Sequence, residues 1–209
     1  MFETMRTAMI DRQLRTAGVN DQRLLAAFAA VRREAFVPPA RAALAYADGA
    51  VEIAPGRWLM APMSLGLMLN HAQIQPDDRA LVVGAGTGYG ASLLIAAGAQ
   101  VTALEEDAAL AAASRANGVT VVTGPLTAGW PAAGPYDLIV CDGGVSSVPP
   151  ALIAQVADGG RIAAIVIGED NVGRVVVGRV IGGHYAATAH IEAGAALLPG
   201  FGRVPQFTF

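Results

Sequence analysis

The chain has 209 residues, a formal net charge of −3, 54% hydrophobic and 15% charged residues, and no lysine. This composition lacks the basic footprint of a nucleic-acid binder, and no apolar run is long enough for a membrane-spanning helix. The single cysteine, Cys141, excludes a disulfide framework and suits a reducing cytoplasm. Residues 3–16 read as a helix, with Met5 and Met9, and Ile10 and Leu14, at i, i+4 spacing. Glu3, Arg6, Asp11 and Arg12 interrupt the apolar residues there, unlike a secretory leader. Gly18 ends that helix. Residues 21–31 form the next, capped by Asp21, with Leu24, Leu25, Phe28 and Val31 facing inward. Pro38 and Pro39 forbid its continuation. Residues 40–59 read as irregular, with Tyr46, Pro55 and Trp58 as packing points. Pro62 suits the first turn of a helix running to Gln73, with Met60, Met63, Leu67 and Met68 as core residues.

The stretch at 79–107 organises the rest. Residues 80–83 are a short apolar run stopped by Gly84, the pattern of a buried parallel strand. Gly84, Gly86, Gly88 and Gly90 form a tight turn, 91–97 continue as a helix, and Gly98 ends it. Residues 101–104 form the second strand, with Glu105 at its carboxyl end. This is a βαβ unit with a nucleotide site: the glycines admit a ligand to the backbone, and an acid about 20 residues on binds ribose hydroxyls. Glu105 is the candidate acid, and Glu106 shares the position because the register is open by one residue. Gly84-x-Gly86-x-Gly88 has the spacing of S-adenosylmethionine (SAM) methyltransferases, and Gly86-x-Gly88-x-x-Ala91 also satisfies the looser dinucleotide pattern. The glycines alone therefore leave a SAM enzyme, a nicotinamide dinucleotide oxidoreductase and a non-catalytic member of the fold all open.

Beyond this unit, 107–117 read as a short helix ended by Asn117-Gly118, and 119–123 as a third strand. Residues 125–134 form a loop carrying Trp130. Residues 136–141 form a fourth strand, delivering Asp142, Gly143 and Gly144 to the ligand side of the sheet. Asp142 is either a substrate-side group or a turn residue. Residues 149–157 read as a helix, 161–167 as a strand, and 174–181, 184–192 and 204–209 as an antiparallel finish. His71, His184 and His190 lack metal-ligand spacing, so no metal site is assigned.

With the elements placed, the chain resembles the protein-L-isoaspartyl O-methyltransferases over nearly its full length. The resemblance rests on Asp11-Arg12-Gln13-Leu14-Arg15-x-x-Gly18-Val19, Arg33-Glu34-Ala35-Phe36-Val37-Pro38 and Met60-Ala61-Pro62-Met63. It continues through Gly84-x-Gly86-x-Gly88-Tyr89, Gly129-Trp130-Pro131, Pro135-Tyr136-Asp137-x-Ile139, Pro149-x-x-Leu152-x-x-Gln155 and Gly159-Gly160-Arg161. Such a family implies an α/β, Rossmann-like SAM-dependent methyltransferase sheet with an N-terminal helical extension and antiparallel C-terminal strands. It implies one methyltransferase domain over 1–209, with 1–60 as helical cover and 61–209 as the Rossmann-like core. Gly84, Ala85, Gly86, Gly88 and Tyr89 would lie under the methionine end of SAM, with Glu105 on the ribose. Pro125 and Leu126 fall at the adenine contact. The implied reaction is carboxyl methylation of isoaspartyl residues in a protein or peptide, a repair step in the cytoplasm; the apolar composition leaves room for a homodimer surface. Three positions depart from the family pattern. Met60 stands at the family serine near the transferred methyl, Val82 at an acid before the first glycine, and Pro125 at the acid that binds the adenine amino group.

Overall fold

The computed structural model describes residues 1–202, so the strand expected at 204–209 lies outside the described residues. Helix α1 (Phe2–Met9) runs into a π-helical turn at Ile10–Leu14, where the Arg15 N–H bonds the Ile10 carbonyl at 3.0 Å. The wider turn keeps Met9, Ile10 and Leu14 buried together. Helix α2 (Gln22–Ala30) starts at Asp21, whose carboxylate accepts from the N–H groups of Arg23 and Leu24 at 2.8 and 3.0 Å.

Residues 40–59 are not irregular throughout. After 3-10 turns at Arg33–Phe36 and Pro39–Leu44, strands β1 (Val51–Ala54) and β2 (Arg57–Leu59) pair antiparallel as a hairpin. The chain reverses at Pro55 and Gly56, where a φ of 69° suits glycine. The two strands are too short, and their register too irregular, to leave a readable alternation. Tyr46 is buried as expected, whereas Pro55 and Trp58 are exposed.

Helix α3 (Pro62–Ala72) begins on Pro62 and stops where Gln73 turns left-handed, at φ 52°. The expected βαβ unit follows as β3 (Arg79–Val83), α4 (Tyr89–Ala96) and β4 (Gln100–Glu105), with β3 and β4 parallel. Asp107 caps α5 (Ala108–Ala116), which leads into β5 (Val121–Thr123). Strand β6 (Tyr136–Val145) continues through Asp142, Gly143 and Gly144, which are therefore not a turn. The Gly144 N–H bonds the Ala196 carbonyl at 2.7 Å, and this late segment holds the end of β6 extended. The helix expected at 149–157 shrinks to α6 (Pro150–Ile153), because β7 (Val156–Ile167) already pairs with β6 at Val156. Strands β8 (Gly173–Ile181) and β9 (His184–Glu192) complete the sheet.

The seven-stranded sheet runs β5-β4-β3-β6-β7-β8-β9, parallel through β7 and antiparallel beyond it. Side chains of a strand alternate between faces. Ala80 and Val82 accordingly enter the core shared with α1–α4, while Leu81 and Val83 enter the core on the other face with Leu104, Ile139 and Leu152. Both faces of β3 are thus covered, and the carboxyl ends of β3 and β4 carry the glycine loop and Glu105.

Candidate active site

The crevice begins where β3 ends. Gly84, Gly86 and Gly88 adopt φ of 76°, 55° and 96°, a region that side chains disfavour. The Gly84 N–H bonds the Leu104 carbonyl at 2.9 Å, anchoring the loop to β4. Thr87 donates to the Phe36 carbonyl at 2.7 Å, and Asn117 donates to the Thr87 carbonyl at 3.0 Å. The loop is therefore fixed from both sides before any ligand arrives.

Glu105 ends β4 fully buried, whereas Glu106 beside it is exposed. One oxygen of Glu105 accepts from the N–H groups of Glu106 and Asp107 at 2.9 and 3.0 Å, and the other from Gly86 at 2.8 Å. Arg57 of β2 adds a two-pronged ion pair, with both nitrogen–oxygen distances 2.7 Å. Arg57 also approaches the Gly84 carbonyl at 3.4 Å. Two apolar side chains fill the neighbouring space. Leu198 packs so closely on Gly84 that a β-carbon there would lie 2.6 Å from it, and it packs on Gly143 as well. Ile53 of β1 sits 2.8 Å from where a β-carbon of Gly86 would be.

Asp142 lies behind the loop. A β-carbon on Gly90 would meet its carboxylate at 2.3 Å, and the Gly90 N–H bonds it at the start of α4. Burial pushes the Asp142 carboxyl up to about 7, against the pull of Arg33 and Arg57. Arg33 is itself fully buried, donating to the carbonyls of Ala45 and Met60 at 2.5 and 2.6 Å. Its guanidinium lies 4.9 Å from the centre of the Tyr89 ring. Tyr89 is fully buried, its ring also touching Phe28 and Phe36. Met60 is a core residue, 2% exposed, at the entry to α3. Burial raises the Cys141 thiol to about 12, so it stays protonated within β6. Leu126 is buried next to β5, and Pro125 is exposed.

The glycine loop, Glu105 and Asp142 thus lie together at the carboxyl ends of β3, β4 and β6, and Glu106 and Pro125 are exposed. Sequence reasoning missed Arg57, Ile53 and Leu198. Arg57 left one signal: it is the lone cation between Arg41 and Arg79. His71 of α3 and His190 of β9 also meet, their rings stacked 4.4 Å apart. Among the described residues, no group of three or more His, Cys, Asp or Glu side chains is placed to hold a metal ion. No helix among them is long and apolar enough to cross a membrane.

This architecture has close counterparts. A protein-L-isoaspartate O-methyltransferase from Plasmodium falciparum, solved in complex with S-adenosyl-L-homocysteine, superposes with a TM-score of 0.78 at 18% identity, covering 93% of this chain and 96% of that one. A second solved protein-L-isoaspartate O-methyltransferase also gives 0.78, at 20% identity; 96% of this chain is covered but only 66% of that longer chain. Sequence relatives are nearer. The protein-L-isoaspartate O-methyltransferase of Methylorubrum populi is 42% identical over 168 residues, spanning 78% of this chain and 79% of its own. That of Methylorubrum extorquens is 44% identical over 163 residues, spanning 75% and 72%. The sequence model described as protein-L-isoaspartate(D-aspartate) O-methyltransferase matches residues 4–179. With the Rossmann-like sheet, the glycine loop and the strand-end acid all in register, the chain belongs to the protein-L-isoaspartate(D-aspartate) O-methyltransferase family.

Proposed function

We propose that the chain transfers the methyl group of SAM to the free carboxylate of isoaspartyl residues in proteins and peptides. The observation that carries this reading is the bond from the Gly86 N–H to Glu105 at 2.8 Å, which joins the glycine loop and the strand-end acid into one cradle. The residues fit the cofactor. Glu105 offers two oxygens that already accept a parallel pair of donors at 2.7 Å, and a ribose diol brings the same kind of pair. Gly84, Ala85, Gly86 and Gly88 let the backbone come close to a ligand, and Pro125 and Leu126 follow β5 as neighbours for the base. When bound, SAM supplies a methyl group activated on a sulfonium centre.

The protein's share is binding, orientation and exclusion of water. An isoaspartyl carboxylate is ionised near pH 7, so no side chain has to remove a proton from it. Holding the anionic acceptor against a cationic methyl donor in a buried crevice favours loss of both charges. Asp142, whose carboxyl is raised by burial to about 7, packs against Gly90 at the start of α4 behind the glycine loop. Membership of this family favours the methyltransferase over the dinucleotide oxidoreductase that the glycine spacing left open. Titration calorimetry with S-adenosylhomocysteine and with NAD tests the reading. Binding of the first and not the second is expected, and binding of NAD alone would overturn it.

A further inference from the structure

Glu105 is over-subscribed. Its two oxygens accept five donors: Arg57 twice, and the backbone N–H groups of Gly86, Glu106 and Asp107. A carboxylate has about four lone-pair sites. A ribose diol cannot join this set until some donor leaves. The three backbone donors are held by the glycine loop and the turn into α5, so the two that can leave belong to one side chain, Arg57.

The element carrying Arg57 is anchored at its two ends, where Val51 and Leu59 are buried in the core, and its turn at Pro55 and Gly56 is exposed. Strands β1 and β2 have four and three residues and form a sheet of their own, apart from the seven-stranded sheet. Backbone pairing between two such short strands adds little by itself, so the tip between the two anchors is held mainly by its side-chain contacts. Its other ion pair, Arg41 with Glu52 at 2.8 Å, is partly solvent-exposed and contributes little. The same hairpin also inserts Ile53 against Gly86. One short element therefore covers both the ribose acid and the glycine loop.

Resting on the SAM reading above, we propose that Arg57 determines cofactor affinity: its guanidinium occupies the ribose position on Glu105 and latches the β1–β2 hairpin across the crevice until the cofactor displaces it. Only molecules with the hairpin released are competent, so the apparent dissociation constant is weakened by the fraction released. Removing the latch raises that fraction.

The test is titration calorimetry of S-adenosylhomocysteine against the wild type, Arg57→Lys and Arg57→Gln, with a melting curve for each protein. Arg57→Gln is expected to bind about tenfold or more tightly than the wild type, because its competent fraction is larger. Arg57→Lys keeps the charge but lacks the fork, so it falls between them. Ligand-free Arg57→Gln is expected to melt lower, since Glu105 loses its ion-pair partner. Opposite signs for stability and affinity mark a latch; a merely structural role lowers both. Trp58 sits next to Arg57, 40% exposed, and Trp130 is the only other tryptophan. In a Trp130→Phe background, Trp58 emission is expected to shift when the ligand binds. Equal or weaker binding by folded Arg57→Gln, or unchanged Trp58 emission with ligand bound, overturns the latch and leaves the SAM reading standing. No binding by any of the three proteins at millimolar ligand overturns both.

Discussion

Replacing Glu105 with alanine is expected to unsettle the fold well before any question of catalysis. Arg57 is 8% exposed and Glu105 is fully buried, so the pair has little water to fall back on. The variant leaves a buried guanidinium without its counter-charge and three backbone N–H groups, on Gly86, Glu106 and Asp107, without their acceptor. Breaking one side of a buried pair costs about 3–5 kcal/mol. For a chain of this size that corresponds to a melting point lower by about 6–20 °C. The assay is urea unfolding followed by circular dichroism, reading the midpoint at an unchanged slope. Adding Arg57→Met to Glu105→Ala is expected to recover part of the loss, because the orphaned charge is gone. A loss under about 1 kcal/mol for Glu105→Ala, the scale of an exposed pair, would show that this ion pair is not a buried, stabilising one.

Three further outcomes are expected. Asp142 holds a proton up to about pH 7 when folded, whereas its ordinary value is 3.8. Between these values the folded state binds the extra proton, so its contribution to stability is full at low pH and declines as pH rises to about 7. The slope is at most about 1.4 kcal/mol per pH unit, and Asp142→Asn is expected to remove it in unfolding curves measured from pH 4 to 8. Arg161→Ala is expected to cost about 3–5 kcal/mol by urea unfolding. The guanidinium of Arg161 is buried, bonds the Ala72 and Gln73 carbonyls at 2.5 and 2.8 Å, and pairs with Asp78. Met60→Ser is expected to lose about 2–4 kcal/mol of stability by the same assay, since Met60 is a core residue. It is also expected to raise methyl transfer to an isoaspartyl peptide by about tenfold, through a hydroxyl that can bond the acceptor carboxylate.

The parts of the fold legible in the sequence are those whose cause is local. The glycine loop is written in residues 84–88 because positive φ selects glycine on the spot. Asp21 and Asp107 signal helix starts because each side chain bonds N–H groups two and three residues on. Strand β3 is plain because both of its faces are buried. What stayed hidden depends on partners distant in sequence. Strand β6 runs through two glycines because Leu198 and the Ala196 carbonyl pack on them from more than fifty residues away. The β1–β2 hairpin is too short to leave a period. Arg57 reads as a surface cation until the fold brings Glu105, 48 residues later, to meet it. The candidate acid was thus visible as a residue, but not its partner.

Methyl transfer to isoaspartyl carboxylates is expected at this site. Its most direct test is transfer of labelled methyl from saturating SAM to an isoaspartyl peptide and to the same peptide with ordinary aspartate. Base-labile label on the isoaspartyl peptide, absent from its isomer and lost with Glu105→Ala, is the predicted result. No label on either peptide, or equal label on both, would rule out selective isoaspartyl methylation by this chain.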